Sequence, residues 1–347
     1  MDLKAFQLFF RATMVLFTMV VLIFCILGLL SSDADPNRNL FMPFIGLALP
    51  GILLIAFSLI IFWLFNKSYW AVIPLLSIII NYQFIASMVH VNLFSEKDTE
   101  KIDSIIKIAT YNIHGFNYIE DEFPVSYIVD CMYEENVKIL CMQEFMPHSM
   151  QNMSEVINSF DFLPYHSIHK DSSSEIGLAI FSKYPILRGG KIHFESTANG
   201  AQWVDIDIPD GKTIRVINVH FQTTGLYRSY YLNLEDMIKV LGQNFKRRAV
   251  QANIIRSIID STEIPVILCG DFNDIPSSYV YKRAKGDLID GFKEAGSGFG
   301  STFLNKANMF RLDYIMHSDA LKGVRYYSRS LKWSDHNPIF GELEYRN

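Results

Sequence analysis

The segment Leu268-Cys-Gly-Asp-Phe-Asn-Asp274 closes an apolar run that begins at Pro265. The run has the length and composition of a buried strand. Asp271 and Asn273 follow its last apolar residue, and in an extended chain two residues separated by one point to the same side. An apolar strand holds such a carboxylate rigidly at the mouth of a cleft. The segment therefore predicts a reactive centre at one edge of a sheet, although Asp-Phe-Asn-Asp also suits a β-turn.

Four other strings have the same form, in which an apolar run ends on a carboxylate, amide or imidazole side chain. They are ATYNIHG with Asn112, CMQEF with Glu144, INVHFQ with Asn218 and His220, and RLDYI followed by SDHNP with Asp313, Asp335 and His336. A single strand-end residue of this kind is commonly a turn former or a solvated side chain. Together the strings favour one shared site, of the kind that a metal-dependent hydrolase requires.

The charged residues are unevenly distributed along the 347 residues. Residues 1–94 contain only four basic and three acidic side chains, whereas the rest of the chain is acidic overall. An acidic domain has no general attraction for polyanions, so nucleic acid is a possible partner only through a local basic patch and is not favoured. The four cysteines have neither metal-ligand nor disulfide spacing and are expected to be buried.

Three uncharged stretches open the chain, at residues 12–30, 40–65 and 69–94. Each is long enough for a helix to cross a hydrocarbon core of about 30 Å at 1.5 Å per residue. A buried helical hairpin, or a cleaved signal in the first stretch, is the alternative. We predict three transmembrane helices and a lipid bilayer as partner. Polar residues of the third stretch, such as Asn81, are expected to bond neighbouring helices, and a polar functional pocket is the other interpretation.

The basic residues of the short loops predict an orientation. Lys4 and Arg11 lie in the amino-terminal flank and Lys67 follows the second stretch, whereas the first loop has Arg38 alone. Positive residues in short loops favour the cytoplasmic side. Three crossings then place everything after the third stretch outside the cytoplasm.

A charged segment at 95–104 separates two parts of the chain. We predict a membrane domain at 1–94, a linker at 95–104 and a catalytic domain at 105–347. In the last of these, short apolar runs alternate with segments of helical spacing, such as the run at 137–142 and the helical pattern at 247–259. This alternation predicts an α/β fold in which two packed sheets are covered by helices.

Residues 105–345 resemble the endonuclease/exonuclease/phosphatase superfamily. The resemblance is carried by GDFN, RLDYI and SDHNP, in that order and downstream of a QE strand. GLAIFSKYPI at 177–186 and GSTF at 300–303 are also typical of this superfamily. The resemblance implies a four-layer α/β sandwich and metal-dependent hydrolysis of a phosphoric ester.

The resemblance also implies a metal site. Glu144 is the expected principal ligand of Mg²⁺, with Asn112 and Asp335 as further ligands, and Mn²⁺ is a possible substitute. Mg²⁺ prefers hard oxygen donors and keeps several of its waters, so few protein ligands suffice. Asn218 lies two residues before His220 and is expected to support the phosphate. The neighbouring His114 is interpreted as an ordinary loop residue, with a position lining the cleft as the alternative.

The remaining residues have expected roles in the reaction. Asp271 takes a proton from the attacking water, and Asn273 orients that water or binds the phosphate. Asp313 fixes and charges the ring of His336, which then stabilises a negative transition state. His220 is a candidate general acid or phosphate ligand.

These expectations favour a membrane-anchored, Mg²⁺-dependent phosphoesterase that hydrolyses a phosphodiester, such as a lipid headgroup, a small phosphodiester or a nucleic acid. The alternatives are a nuclease acting on DNA or RNA, a non-catalytic module that holds a phosphorylated ligand, and a membrane sensor. The segment at 223–245 is the expected source of specificity. The basic run at 246–248 is expected to be a solvated helix face. Fold alone does not choose the substrate, and the sequence leaves the oligomeric state open.

Overall fold

The computed structural model describes residues 2–90, 105–116, 124–146, 152–170, 176–195, 197–225, 232–304 and 310–346. The amino-terminal part contains α1 (Leu3–Ser31), α2 (Phe41–Phe65), α3 (Val72–Ile80), α4 (Tyr82–Met88) and β1 (Val89–His90). The part after residue 104 contains β2 (Ile106–Asn112), α5 (Val125–Glu134), β3 (Ile139–Gln143), α6 (Met153–Asn158), β4 (Tyr165–Lys170), β5 (Gly177–Ser182), β6 (Ile186–His193), β7 (Gly200–Ile208), β8 (Lys212–His220), α7 (Leu234–Asp260), β9 (Val266–Asp271), α8 (Tyr279–Lys285), β10 (Ile289–Asp290), α9 (Gly291–Ala295), β11 (Gly298–Phe299), β12 (Asp313–His317), β13 (Leu321–Ser328) and β14 (Ile339–Tyr345). The expected linker at 95–104 lies outside the described residues.

Among the residues described, α1 and α2 are the two helices that are long and apolar enough to cross a membrane. Their contact buries Cys25 of α1 and Leu49 and Trp63 of α2. The indole N–H of Trp63 donates to Thr18 Oγ1 at 2.9 Å. This bond satisfies a polar group in an apolar interior, where an unpaired donor would be costly.

The third apolar stretch is not one straight helix. A short 3₁₀ turn and α3 are followed by α4, with a bend of 60° at Asn81, so the pair is a third span only if it is counted as one broken span. The Asn81 amide donates to the carbonyl of Cys25 in α1 at 3.2 Å and to that of Ser77 at 2.9 Å. The expected bond between helices is therefore present. The bend lies at this Asn, whose side chain competes with the backbone for hydrogen bonds.

The strands of the described residues after 104 form two six-stranded sheets. The first has the order β13-β14-β2-β3-β5-β4 and the second β10-β12-β9-β8-β7-β6. Apolar residues of both sheets pack together in one core. Helices α5 and α6 cover the outer face of the first sheet, and α7 and α8 cover that of the second. These layers are the expected four-layer α/β sandwich.

The strand directions bring the predicted residues to one edge. Strands β2 and β3 are parallel, with Asn112 opposite Gln143, and β8 and β9 are parallel, with His220 opposite Asp271. Both parallel pairs therefore end at the same side of the sandwich. Strand β12 is antiparallel to β9, so its first residue, Asp313, lies opposite Asp271.

The loop after β9 contacts the apolar helices. Ser277 Oγ donates to the carbonyl of Gly46 in α2 at 2.9 Å, and Ser31 Oγ, at the end of α1, donates to the carbonyl of Ser277 at 3.0 Å. Both serines are buried. The end of α1 and the start of α2 thus pack directly on the α/β sandwich.

A second contact lies at the end of α4. Strand β1 follows α4 and pairs with β11. Arg311 is fully buried and donates to the carbonyl of Ser87 at 3.0 Å and to both oxygens of Asp290. Burial by itself raises the pKa of the Asp290 carboxyl, but the Arg311 guanidinium outweighs this effect and holds that pKa below its usual range. The hydrogen bond from Arg311 to Ser87 joins α4 to the sandwich, and the ion pair with Asp290 holds Arg311 in place.

We expect Asp290→Asn to lower the free energy of unfolding by about 3–5 kcal/mol, because it leaves the Arg311 charge buried without its partner. The control is Asp33→Asn, which removes an exposed ion pair with Lys282 and should cost only about 0–1 kcal/mol. Denaturant unfolding followed by circular dichroism measures both. Equal midpoints for the two variants would contradict the role given to this pair.

Candidate active site

Asp271 is the centre of the site. It ends β9 and is buried, and its Oδ2 lies 3.7 Å from His220 Nε2 and 3.8 Å from His336 Nε2. The same oxygen accepts a hydrogen bond from Asn112 Nδ2 at 3.1 Å. The structure therefore brings together residues from four of the five strings.

Asn273 forms a tight turn on Asp271. Its backbone N–H donates to Asp271 Oδ1 at 2.7 Å, and its Nδ2 donates to Asp271 Oδ2 at 3.1 Å. Its φ of 51° is in the left-handed region, which Asn tolerates better than most residues. Phe272 between them is fully buried. The sequence offered two alternatives for Asp271 and Asn273, a shared side of the strand or a β-turn, and both features are present.

His336 and Asp313 form a buried pair, with His336 Nδ1 2.8 Å from Asp313 Oδ2. Burial alone lowers the pKa of His336, but the carboxylates of Asp313 and Asp271 outweigh it and raise that pKa to about 10. The ring is therefore an imidazolium at neutral pH. Phe303 packs edge-on against it, with ring centroids 5.0 Å apart.

For the Asp271 carboxyl, the effect of burial prevails and the pKa is raised. Burial raises its pKa, His336 lowers it and Asp313 raises it, with a net value of about 6. A carboxylate with such a pKa can accept a proton near neutral pH more readily than an ordinary Asp.

Glu144 occupies the more open side of the site. It follows β3 with a φ of 54°, and its Oε1 lies 3.1 Å from Asn112 Nδ2 and 3.7 Å from His220 Nε2. Burial raises the pKa of Glu144, but His220, the hydrogen bond from Asn112 and His114 together hold it below its usual range. Glu144 is thus an anion at neutral pH.

His114 lines the site, which was the less favoured of its two interpretations from the sequence. Its Nδ1 lies 3.6 Å from Glu144 Oε2 and 3.6 Å from Asp335 Oδ1, so it bridges the two expected metal ligands. A signal was present in the sequence. His114 is two residues after Asn112, the same spacing that relates Asn273 to Asp271.

The donor set fits a hard cation. Glu144 and Asp335 present carboxylate oxygens at the open side of the site. Asp271, Asp313 and His336 also lie close enough to share an ion, but His336 is protonated and bonded to Asp313, which makes it a poor ligand. Oxygen donors with access to water suit Mg²⁺. Proteins of this family are generally dependent on a divalent metal.

Asn112 is placed as a hydrogen-bond donor rather than as an oxygen ligand. Its Nδ2 faces Glu144 and Asp271, whereas its Oδ1 accepts from the backbone N–H of His114 at 3.1 Å. Its carbonyl oxygen reaches a cation beside Glu144 only if the amide rotates.

Asn218 is not at the cleft, and the expected phosphate contact is corrected. It is fully buried between the sheets, where its Nδ2 donates to the carbonyls of Met142 at 2.9 Å and Ala179 at 3.2 Å. Its Oδ1 accepts from Gln143 Nε2 at 2.6 Å. Asn218 faces the same way as His220 but lies two residues deeper, so its amide joins the two sheets.

Arg248 corrects the expected solvated face of the run at 246–248. Lys246 and Arg247 are exposed, but Arg248 is fully buried. Its Nε donates to Asp274 Oδ2 at 3.0 Å and its Nη1 to the carbonyl of Gln222 at 3.0 Å. It braces the loops that follow Asp271 and His220.

The comparisons identify the class of protein. Residues 109–336 match the family model described as "Endonuclease/Exonuclease/phosphatase family", so the chain belongs to this family. Residues 11–88 match a second model, "Domain of unknown function (DUF8431)". None of the curated proteins matches the chain.

Solved structures show the same fold at low identity. The endonuclease/exonuclease/phosphatase from Beutenbergia cavernae DSM 12333 is 16% identical, with a TM-score of 0.52 over 70% of this chain and 72% of that chain. TDP2 from Caenorhabditis elegans is 17% identical, with a TM-score of 0.53 over 69% of this chain and 74% of that chain. The human Nocturnin catalytic domain, solved with a bound sulfate anion, is 18% identical, with a TM-score of 0.52 over 70% of this chain and 94% of that chain. These likenesses concern the fold alone.

We expect Asp313 to act through His336. His336→Ala should lower the rate of phosphodiester hydrolysis by about 10²–10⁴, the usual contribution of one positioned acid or charge-stabilising group. Asp313→Ala in that background should cost little more, because residues that act as a unit are not additive. Steady-state kinetics of the two single variants and the double variant test this. Fully additive losses would make Asp313 an independent ligand of substrate or metal.

Proposed function

We propose that this protein is a membrane-anchored phosphoesterase that hydrolyses a phosphodiester with the help of Mg²⁺, or of Mn²⁺ in its place. The observation that carries the proposal is the convergence of Asp271, His336 and His220 on one buried point beside Glu144. Membership of the family supports the reaction class, since its members generally hydrolyse phosphoester bonds.

The proposed reaction is the in-line attack of water on phosphorus. Asp271 takes one proton from the water, the new O–P bond forms, and the P–O bond to the leaving group breaks. The leaving oxygen receives a proton from His220. The imidazolium of His336 stabilises the negative charge on the phosphoryl oxygens. A Mg²⁺ ion held by Glu144 and Asp335 would supply further Lewis-acid stabilisation of that charge.

Asp313, Asn273 and Asn112 complete the proposed site by holding groups in place. Asp313 keeps the His336 ring oriented and charged. Asn273 and Asn112 both donate to Asp271 Oδ2, which directs the carboxylate into the site. Each of these bonds fixes a reacting group before the substrate arrives, which lowers the entropy cost of the reaction.

Metal dependence is the direct test of the proposal. Hydrolysis of bis-(p-nitrophenyl) phosphate should stop in EDTA and return with Mg²⁺ or Mn²⁺. Glu144→Gln should weaken Mn²⁺ binding measured by electron paramagnetic resonance, and Asp271→Asn should lower the rate by about 10²–10⁴. Glu155→Gln, an exposed Glu on α6, is the control and should change neither property. Full activity in EDTA would exclude the metal-dependent mechanism.

We further propose that the catalytic domain lies outside the cytoplasm. Contacts of Ser31, Gly46 and Ser87 with the α/β sandwich support a position of the sandwich at one end of the apolar helices. The amino terminus and the turn at Lys67 belong to the other end. That end carries Lys4, Arg11 and Lys67 against Arg38 in the first loop, which favours the cytoplasmic side, whereas Lys97 and Lys101 beyond the third stretch act in the other direction.

Reporter fusions at the carboxyl terminus of the full chain test this orientation. An alkaline phosphatase fusion should be active, because that enzyme matures outside the cytoplasm, whereas a green fluorescent protein fusion should be dark. A fluorescent fusion whose phosphatase counterpart is inactive would place the catalytic domain in the cytoplasm.

A further inference from the structure

One loop of the site begins beside the last of the apolar helices. Phe299 of β11 lies opposite Val89 of β1, and the backbone N–H of Gly300 donates to the carbonyl of Met88 at 2.9 Å. Met88 is the last residue of α4. The loop from Phe299 onward therefore starts within about one residue of a candidate membrane segment.

Phe299 is the most exposed large apolar side chain among the described residues after 104, at 83%. Val89 opposite it is 36% exposed. Apolar surface is favoured out of water, so a ring left in water at this position is unfavourable. Aromatic side chains are enriched at the level of the lipid headgroups, where a ring is removed from water. Phe299 and Val89 form an exposed apolar patch that directly follows α4. A lipid surface is the partner that fits this patch.

The same loop ends on the catalytic residues. Phe303 packs on the His336 ring, and Thr302 Oγ1 accepts from the backbone N–H of Asp313 at 3.1 Å. Four residues of extended chain span at most about 14 Å. The backbone of Phe303, whose ring contacts His336, therefore lies within about 14 Å of that of Phe299.

The opposite flank of the site is also held at the apolar helices. Ser277 follows Asp271 by six residues and bonds to both Gly46 and Ser31. Asp271 is the last residue of β9, and the loop that follows it is held against α1 and α2. Both flanks of the site are fixed next to the membrane segments.

We propose that the substrate is a phosphodiester lipid of the adjoining leaflet, and that Phe299 inserts into the surface of this leaflet and holds the site over its headgroups. The proposal rests on the phosphoesterase function and names its substrate class. A headgroup phosphate lies at the interface, so it reaches a site at this distance without leaving the bilayer. A water-soluble diester gains nothing from this arrangement.

Two substrates with the same reacting group, one in the membrane and one in solution, show the effect of membrane location independently of the chemical step. The full-length protein, reconstituted in phosphatidylcholine vesicles with Mg²⁺, is given hexadecyl p-nitrophenyl phosphate within the vesicles or ethyl p-nitrophenyl phosphate in solution. In both, water adds to phosphorus and p-nitrophenol leaves. We expect kcat/KM for the hexadecyl ester to exceed that for the ethyl ester by about tenfold or more, given the apolar contact at Phe299.

Substitution of Phe299 tests the loop itself. Phe299→Asp should abolish the preference for the hexadecyl ester and leave the ethyl ester rate unchanged, whereas Phe299→Trp should keep the preference. Leu187→Asp is the matched control, since Leu187 is 57% exposed on β6, an edge strand of the second sheet that does not pair with β1 or β11, and this variant should keep the preference.

The outcomes separate the two proposals. Equal rates for the two esters, or a preference that survives Phe299→Asp, would overturn the lipid proposal and leave the phosphoesterase function intact. Cleavage of neither ester with Mg²⁺ or Mn²⁺ would overturn the phosphoesterase function itself.

A fluorescent label checks insertion without any reaction. All four native cysteines are buried, so Phe299→Cys and Leu187→Cys can each be labelled selectively with an environment-sensitive dye. Nitroxide lipids should quench the label at 299 and not the label at 187. Quenching of both labels by aqueous iodide, with no effect of the nitroxide lipids, would overturn the lipid contact.

Discussion

The face-to-face packing of two sheets is the constraint on which the site depends. Asn112 and Glu144 come from the first sheet, and His220, Asp271 and Asp313 come from the second. Neither sheet alone contains a complete set of acid, base and ligand groups. The sheets are held in register by a shared apolar core and, close to the site, by the hydrogen bonds of a buried amide, Asn218. Within each sheet, a slip of one residue in strand pairing would turn the side chains of that strand to the other face and separate the polar strand ends.

Charge is concentrated where the sheets meet. Two buried carboxylates, Asp271 and Asp313, share one imidazolium, His336, and the half-buried Glu144 lies next to them. This excess of negative charge raises the pKa of His336 and supports the attraction of a cation on the open side. Positive φ angles at His114, Glu144 and Asn273 show that the backbone is held in uncommon conformations around the same point. Such strain concentrates at functional sites, where the fold maintains it.

The apolar helices pack directly on the α/β sandwich beside the site. Arg311 lies two residues before Asp313 and bonds to the end of α4 through Ser87. Ser277, on the other flank, bonds to α1 and α2. Because these contacts adjoin the catalytic strands, the position of the site relative to the helices is fixed by hydrogen bonds and an ion pair between buried groups.

The fold class, the α/β alternation and the strand ends that carry the site could be predicted from the amino-acid sequence, because apolar runs and their terminal polar residues are local patterns. The pairing of His336 with Asp313 could also be predicted, through the family motifs. How deeply each of these residues is buried depends on the tertiary structure. Asn218 and His220 lie on one face of one strand, yet only His220 reaches the edge. Arg248 is buried because Asp274, distant in sequence, lies beside it. Asn81 bends the third apolar stretch by bonding to another helix. Each of these outcomes depends on a partner far along the chain, and a local pattern contains no information about which distant group will be near.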